Sequence, residues 1–205
     1  LRPDIIKEEV SGIFDLESSL MPCLLDMKTR GVRVDIDKAE LVKKDLFSRE
    51  QNLLKEIKEE TGIFIEPWVA TSIAKAFDSL GLKYHRTESS KAPSFTKQFL
   101  ATHPHPIAQK IVKLREFNKA NTTFVETILE HSHKGRIHCD FNPLRSDDGG
   151  TLTGRFSSSN PNLQQIPARD PEIKAMIRGL FIPEEGCKWG SFDYASQEPR
   201  WLAHY

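Results

Sequence analysis

Apolar residues recur at helical spacing along the first two thirds of the chain, and the first such stretch follows Asp37. Glu40 stands three residues after Asp37, the spacing of a capping box, in which two side chains satisfy backbone N–H groups at a helix start. We therefore predict a helix that begins after Asp37 and ends at Gly62. Its apolar face is formed by Val42, Leu46, Leu53 and Ile57.

A second long helix is predicted after the motif "HPHP", with its end between His131 and Gly135. Two shorter helices are predicted before it: one ends at Gly81, and the other begins behind a Ser94 cap. The basic segment "LKYHRTESSKAPSF" between them has little apolar content, and we expect an exposed and mobile tip. The apolar residues of the three helices are Ile107, Ile111, Leu114, Phe117, Phe124 and Ile128 in the long one, Ile73, Phe77 and Leu80 in the second, and Phe95, Phe99 and Leu100 in the third.

After Gly135 the pattern favours strands. "RIHCDFNP" alternates between apolar and polar residues, and "GLFIP" and "KWGSFDY" are short apolar runs bounded by turn residues. We expect an α+β fold, with long antiparallel helices inserted in a base that contains a small antiparallel sheet. The predicted base comprises residues 1–36 and 134–205, and the predicted helical arm comprises residues 37–133.

Composition narrows the class of protein. The charges balance at 29 basic and 29 acidic residues, so net charge gives no reason to expect a polyanionic partner, although a local basic patch can exist within a neutral total. No run of about 18 apolar residues could span a bilayer. Cys23, Cys139 and Cys187 lie far apart and form no CxxC pair, which favours a reducing cytosol over a disulfide framework or a thiolate zinc site.

Two segments carry candidate chemistry. The irregular stretch "TLTGRFSSSNPNLQQIPAR" is rich in amides and guanidinium groups, which suit a polar ligand such as a sugar-phosphate chain, but a solvated loop would have the same composition. Asp193 ends a predicted strand and Glu198 follows at the start of a terminal helix. A carboxylate in that position can bind a hard cation, and it can equally cap a helix or form a surface ion pair.

Taken together, "TGRFSSSNPNLQQIPAR" and "DYASQEPR" resemble two consecutive palm motifs of the family A (DNA polymerase I-like) DNA polymerases, approximately TGRLSSxxPNLQNIPxR and DYSQIELR. The intervening "IRGLFIPEEGCKWGSFDY" matches the family's spacing. Upstream, "RGVRVD", "KAPSF" and "LREFNKANTTFV" resemble that family's thumb. The chain differs from the family at Ala195, Ser196 and Gln197, which replace Ser-Gln-Ile, at Gln165, which replaces Asn, and at Pro199, which replaces Leu.

The resemblance implies catalytic roles for Asp193, Glu198 and Arg155. Asp193 would bind two catalytic Mg²⁺ ions, with the Tyr194 carbonyl as a further ligand. Glu198 would crowd the 2′ position of an incoming nucleotide, and Arg155 would reach the minor groove at the primer end.

The resemblance also implies DNA and nucleotide contacts. Asn162 and Gln164 would line the duplex, and Arg169 would lie near the triphosphate, where Glu198 also contacts the nucleotide. The basic residues of the tip would grip the phosphate backbone: Lys83, Arg86, Lys91 and Lys97.

On this reading the chain is the thumb and N-terminal palm of a monomeric cytoplasmic DNA-directed DNA polymerase, of bacterial or phage origin, that binds primer-template DNA and deoxynucleoside triphosphates. The family's second metal-binding aspartate and its fingers lie beyond the matched motifs, so the chain alone is expected neither to hold Mg²⁺ stably nor to polymerise. The alternatives are a non-catalytic duplex clamp and a structural module. The terminal helix from Arg200 looks unfinished, which favours the enzyme over the clamp.

Other polar groups have simpler interpretations. The paired histidines His103 and His105, and His131 and His133, lack a third ligand at metal-site spacing, so surface roles are expected. The tandem Asp147-Asp148 before two glycines is expected to form a hairpin turn.

Overall fold

The computed structural model describes residues 6–144 and 150–204. The α-helices are α1 (Ser11–Arg30), α2 (Ile36–Thr61), α3 (Ala70–Ser79), α4 (Lys97–Thr102), α5 (Pro106–Lys119), α6 (Glu126–Glu130), α7 (Pro171–Arg178) and α8 (Gln197–His204), with a π-helical segment at Ala120–Val125 and a 3-10 helix at Leu163–Gln165. The strands are β1 (Val32–Arg33), β2 (His85–Arg86), β3 (Pro93–Ser94), β4 (Ser132–His133), β5 (Arg136–Ile137), β6 (Asp140–Asn142) and β7 (Ser157–Ser159). None of the described helices is long and apolar enough to cross a lipid bilayer.

The predicted helix after Asp37 is confirmed, but its cap is two residues earlier. Asp35 has an extended backbone, and its carboxylate accepts a hydrogen bond from the Lys38 backbone N–H at 2.9 Å. Asp37 lies instead in the first turn, where its negative charge complements the positive end of the helix dipole. Gly62 ends the helix in a left-handed conformation, φ 73°, with its N–H bonded to the Lys58 carbonyl.

The shorter helices and the tip also differ in detail from the prediction. The second helix ends at Ser79, just before Gly81, as expected. The third begins at Lys97 behind Thr96, whose hydroxyl accepts from the Phe99 N–H at 3.2 Å, so the predicted Ser94 cap is wrong. Ser94 lies in β3, which pairs with β2 in a short antiparallel hairpin. The tip is therefore exposed but has its own backbone ladder.

Two apolar cores are joined by the long helices. The outer core contains Ile57, Ile73, Phe77, Leu100 and Ile111, all fully or almost fully buried. The second core is formed by Ala39, Leu46, Phe117, Val125, Ile128, Ile137, Ile173, Ile177 and Leu180. Because α2 and α5 contribute side chains to both cores, apolar packing is continuous from one core to the other. Each fully buried Leu or Ile contributes about 1.5–3 kcal/mol.

The strands form small antiparallel sheets. One has the order β1-β5-β4, and another pairs β6 with β7 in the register Asp140↔Ser159. The predicted strand at "GLFIP" forms a single antiparallel bridge from Phe181 to Val34. These elements confirm the α+β class with long helices on a small antiparallel sheet, while the boundaries of arm and base stay a prediction.

The strand predicted to lead into Asp193 is not formed, so that prediction is wrong. Residues 187–196 contain turns and irregular backbone, and the side chains of residues 184–204 are exposed. A short strand is stable only beside a hydrogen-bonding neighbour. No strand of the described ranges pairs with this segment, so its apolar pattern lacks the partner it would need.

Candidate active site

The polar loop after β7 is organised by its own hydrogen bonds. Asn162 caps the 3-10 helix, since its side-chain oxygen accepts from the Gln164 backbone N–H at 3.0 Å. The Gln164 side-chain amide donates to the Phe156 carbonyl at 3.1 Å. The hydroxyl of Ser158, which is buried, donates to the Pro161 carbonyl at 3.3 Å. The loop is thus folded back onto β7 with Asn162 and Gln164 on its exposed side.

Arg155 and Glu198 meet across the base. A guanidinium nitrogen of Arg155 donates to a carboxylate oxygen of Glu198, and the two residues are 43 positions apart in the chain. Both side chains are about three-quarters exposed, at 73% and 77%. An ion pair so open to water contributes little to stability, between about 0 and 1 kcal/mol. Its charged groups are therefore accessible to a ligand.

Asp193 and Tyr194 line a shallow recess beside α8. The recess is also lined by Gln197, Arg200 and Trp201, so it is built by the terminal segment itself. Asp193 precedes Glu198 by five residues, which places its carboxylate on the same segment as the Arg155 contact. Hard cations need several oxygen ligands. Among residues 6–144 and 150–204, no three His, Cys, Asp or Glu side chains come together as a metal-binding group, so these residues do not complete a magnesium site.

Arg169 lies on the exposed turn before α7, next to the cap of that helix. Asp170 accepts from the backbone N–H groups of Glu172 and Ile173 at 2.9 and 3.0 Å, and from Lys113 of α5 at 3.1 Å. The Ile173 N–H first, and then Lys113, hold the pKa of Asp170 below its usual range. Asp170 therefore fixes the start of α7 against the arm.

The tip hairpin, residues 83–94, gathers three of the four predicted basic contacts. Arg86 donates to the Lys91 carbonyl and to the Tyr84 hydroxyl, each at 3.0 Å, and stacks over the Tyr84 ring with its guanidinium carbon 5.2 Å from the ring centre. Lys83 and Lys91 are exposed on the same hairpin. Lys97 lies apart, at the start of α4, and pairs with Glu116 at 3.6 Å.

Three of the four histidines set aside from metal binding have local partners. His105 caps α5 through the Ile107 N–H at 3.3 Å, and His103 accepts from the His105 N–H at 3.2 Å. The ring of His131 contacts the Thr127 carbonyl at 3.0 Å. The predicted Asp147-Asp148 turn lies outside the described residues.

One polar contact beside the loop has no signal in the sequence. Asp140 of β6 binds both Lys28 of α1 and Asn160 of the loop. The three residues are at least 20 positions apart in the chain, and Asn160 occupies a position that the palm motif leaves variable. The β6–β7 pairing brings Asp140 next to Asn160, and the contact of α1 with β6 brings Lys28 to the same carboxylate.

Comparison with known proteins gives a consistent result. The chain is 38% identical to a DNA-directed DNA polymerase of Pseudomonas phage M6 over 212 aligned residues, which cover 98% of the chain and 32% of that protein. It is 35% identical to the thermostable DNA polymerase I of Thermus filiformis over 93% of the chain and 23% of that enzyme. The chain therefore spans about a third or less of the length of these relatives.

A solved structure is similar to this chain in both fold and sequence. The POL domain of Pol1 from M. smegmatis, in complex with DNA primer-template and dNTP, superposes with a TM-score of 0.68 and 25% identity, over 80% of this chain and 28% of that one. The family model for DNA polymerase family A matches residues 33–205, which include the Arg155 loop, Asp193 and Glu198. The chain belongs to DNA polymerase family A.

Proposed function

We propose that the chain forms the thumb and the first part of the palm of a DNA-directed DNA polymerase. The observation that carries this proposal is the contact between Arg155 and Glu198, because it unites two motifs 43 positions apart into one exposed polar surface. The amide loop of Asn162 and Gln164 adjoins that surface. The thumb corresponds to residues 37–133, and the palm to residues 1–36 and 134–205.

Duplex DNA is the proposed partner of this surface. Arg155, Asn162 and Gln164 supply exposed donors, and minor-groove acceptors occupy similar positions in every correct base pair. The tip hairpin offers Lys83, Arg86 and Lys91 to the phosphates, with Glu88 as the one acid among residues 83–94. Lys97 would join them only by releasing Glu116. Such contacts bind duplex without sequence preference, so we propose primer-template DNA as the partner. We also propose that the whole enzyme is monomeric and cytoplasmic.

The proposed catalytic roles are those that the resemblance to the family A motifs implies. Glu198 is proposed to exclude ribonucleotides by crowding the 2′ position, with Arg155 holding its carboxylate until the primer end arrives. Arg169 is proposed to contact the triphosphate of the incoming nucleotide. Asp193 and the Tyr194 carbonyl would hold part of a Mg²⁺ site in the whole polymerase, and bound Mg²⁺ supplies charge stabilisation for phosphoryl transfer. Because the described residues do not complete such a site, we expect no polymerisation by this chain alone.

A non-catalytic duplex clamp is the second candidate. It is favoured by one observation: the exposed donors of the tip hairpin, residues 83–94, and of the Asn162 loop can contact duplex DNA without a metal ion. The clamp and the polymerase share the duplex surface but differ in the role of Asp193. An Asp193 variant of the whole polymerase therefore distinguishes them.

The duplex surface is tested by fluorescence anisotropy with a labelled primer-template. We expect weak binding by this chain, with affinity that falls steeply from about 50 to 200 mM salt because counterions are released from the phosphates. Arg155→Gln should weaken binding. Lys55→Gln is the matched control, since Lys55 is an exposed basic residue on α2 that pairs with Glu59 at 3.9 Å. Absent binding, binding insensitive to salt, or equal effects of the two substitutions would reject the proposed duplex surface.

A further inference from the structure

A polar bridge holds the corner that precedes the Asn162 loop. The carboxylate of Asp140 accepts from the Asn160 side-chain amide at 3.0 Å through one oxygen, and from the Lys28 ammonium through the other. The Asp140 side chain is 29% exposed, so the bridge is half-shielded from water. It connects α1, β6 and the loop after β7.

The bridge acts on a residue with an uncommon backbone conformation. Asn160 has a left-handed backbone, φ 53°, at the corner where β7 ends. Asn and Asp tolerate this conformation better than other residues with side chains. Ser159, the residue before it, is the register partner of Asp140, so the Asp140 carboxylate is next to the corner. Asn162, which caps the 3-10 helix, follows two residues later.

The residues on either side of Asn160 have hydrogen bonds of their own. The Asn142 amide donates to the hydroxyls of Ser157 and Ser159 at 3.4 and 3.1 Å, which fixes β7 up to its last residue. Ser158 contacts the Pro161 carbonyl on the other side of the corner. Between these two anchors, the Asn160 side chain is held by Asp140.

We propose that Asp140 is a positioning residue, which fixes the Asn160 corner and thereby sets the direction in which the loop presents Asn162 and Gln164 to duplex DNA. The last step of this inference, presentation to DNA, rests on the proposed function. The fixing of the corner does not.

The charge state of the bridge agrees with this role. Lys28, and then the Asn160 amide, hold the pKa of Asp140 below its usual range. The carboxylate is therefore ionised at neutral pH, and both of its oxygens act as acceptors. An uncharged Asn at this position could still accept from Asn160 through its side-chain oxygen.

The test replaces Asp140 and Asn160 one at a time and then exchanges the two residue types. Asp140→Ala should increase amide hydrogen exchange at Gln164, whose N–H is bonded to Asn162, by about tenfold, since a charge-assisted bond that restrains the loop is lost. Asn160→Asp should do the same, because two carboxylates would face each other. The double variant Asp140→Asn with Asn160→Asp restores a donor and an acceptor in reversed order, and the left-handed corner accepts Asp, so exchange should return to the wild-type rate.

Asp26→Ala is the matched control. It removes one acid from the exposed Asp26–Arg30 pair of α1 and should leave exchange at Gln164 unchanged. Circular dichroism melts of every variant report whether the chain is folded. Anisotropy with primer-template duplex should show weaker binding by Asp140→Ala and recovery in the double variant.

The outcomes separate the inference from the proposed function. Unchanged exchange at Gln164 in folded Asp140→Ala, or no recovery in the double variant, overturns the positioning role. If exchange responds as expected but no variant, including wild type, binds duplex, the corner is confirmed and the proposed function fails. If duplex binds but its affinity ignores Asp140→Ala, the presentation step is overturned.

Discussion

Replacing Asp170 tests how the arm is fixed to the base. Its carboxylate accepts from two backbone N–H groups of α7 and from Lys113 of α5. Loss of a helix cap costs about 1 kcal/mol, within a range of 0.5–2. The ion pair adds about 0.5 kcal/mol, because its side chains are 46% and 26% exposed. Asp170→Ala should therefore lower the free energy of unfolding by about 1.5 kcal/mol.

Asp170→Asn is the matched variant, because it keeps the capping oxygen and loses only the charge. It should cost about 0.5 kcal/mol at neutral pH. The pKa of Asp170 is lowered in the folded chain, so its extra stability is present above the usual carboxyl pKa of about 4 and is lost as the pH falls through the lowered value. Wild type and Asp170→Asn should thus converge in acid.

Urea denaturation followed by circular dichroism, at neutral pH and at several acidic values, measures these differences. Equal losses for the Ala and Asn variants would show that the cap contributes nothing. A wild-type advantage over Asn that persists in strong acid would refute the assignment of the difference to the ionised carboxylate.

Three further outcomes are expected. Asp35→Ala should lower the free energy of unfolding by about 1 kcal/mol in urea melts, whereas Asp37→Ala should cost only a few tenths, and the reverse order would contradict the cap assignment. Lys91→Gln should reduce the salt dependence of duplex binding by about one counterion in anisotropy titrations, and the same reduction in Lys55→Gln would argue against a specific tip contact. In the whole polymerase, Glu198→Ala should mainly raise ribonucleotide incorporation in primer-extension assays, and unchanged discrimination would remove the proposed steric role.

The helices were predictable because their apolar residues repeat over many turns. The residues that cap the helices were less predictable. Asp35 and Asp37 both precede an apolar run, and Asp37 also has Glu40 at capping-box spacing, so local sequence favours the wrong one. Ser94 and Thr96 present the same ambiguity, which the pairing of β2 with β3 resolves by placing Ser94 in a strand.

Strands and the site depended on distant parts of the chain. The apolar pattern before Asp193 predicts a strand, but a strand also needs a neighbour, and no local signal reveals whether one is there. The motifs identified Arg155 and Glu198, but their contact joins positions 43 apart in the chain, and no local pattern reveals it. The Asp140–Asn160 bridge depends on the register of β6 and β7, which the sequence pattern does not specify.

Primer extension by the whole polymerase carrying Asp193→Asn tests the central claim most directly. The substitution removes a charge that we propose to bind Mg²⁺, and it leaves the duplex surface of Arg155 and the Asn162 loop in place. We predict that extension falls by about a thousandfold or more while duplex affinity stays near the wild-type value. Extension at the wild-type rate, with duplex binding intact, would contradict the catalytic account and leave the chain as a duplex clamp.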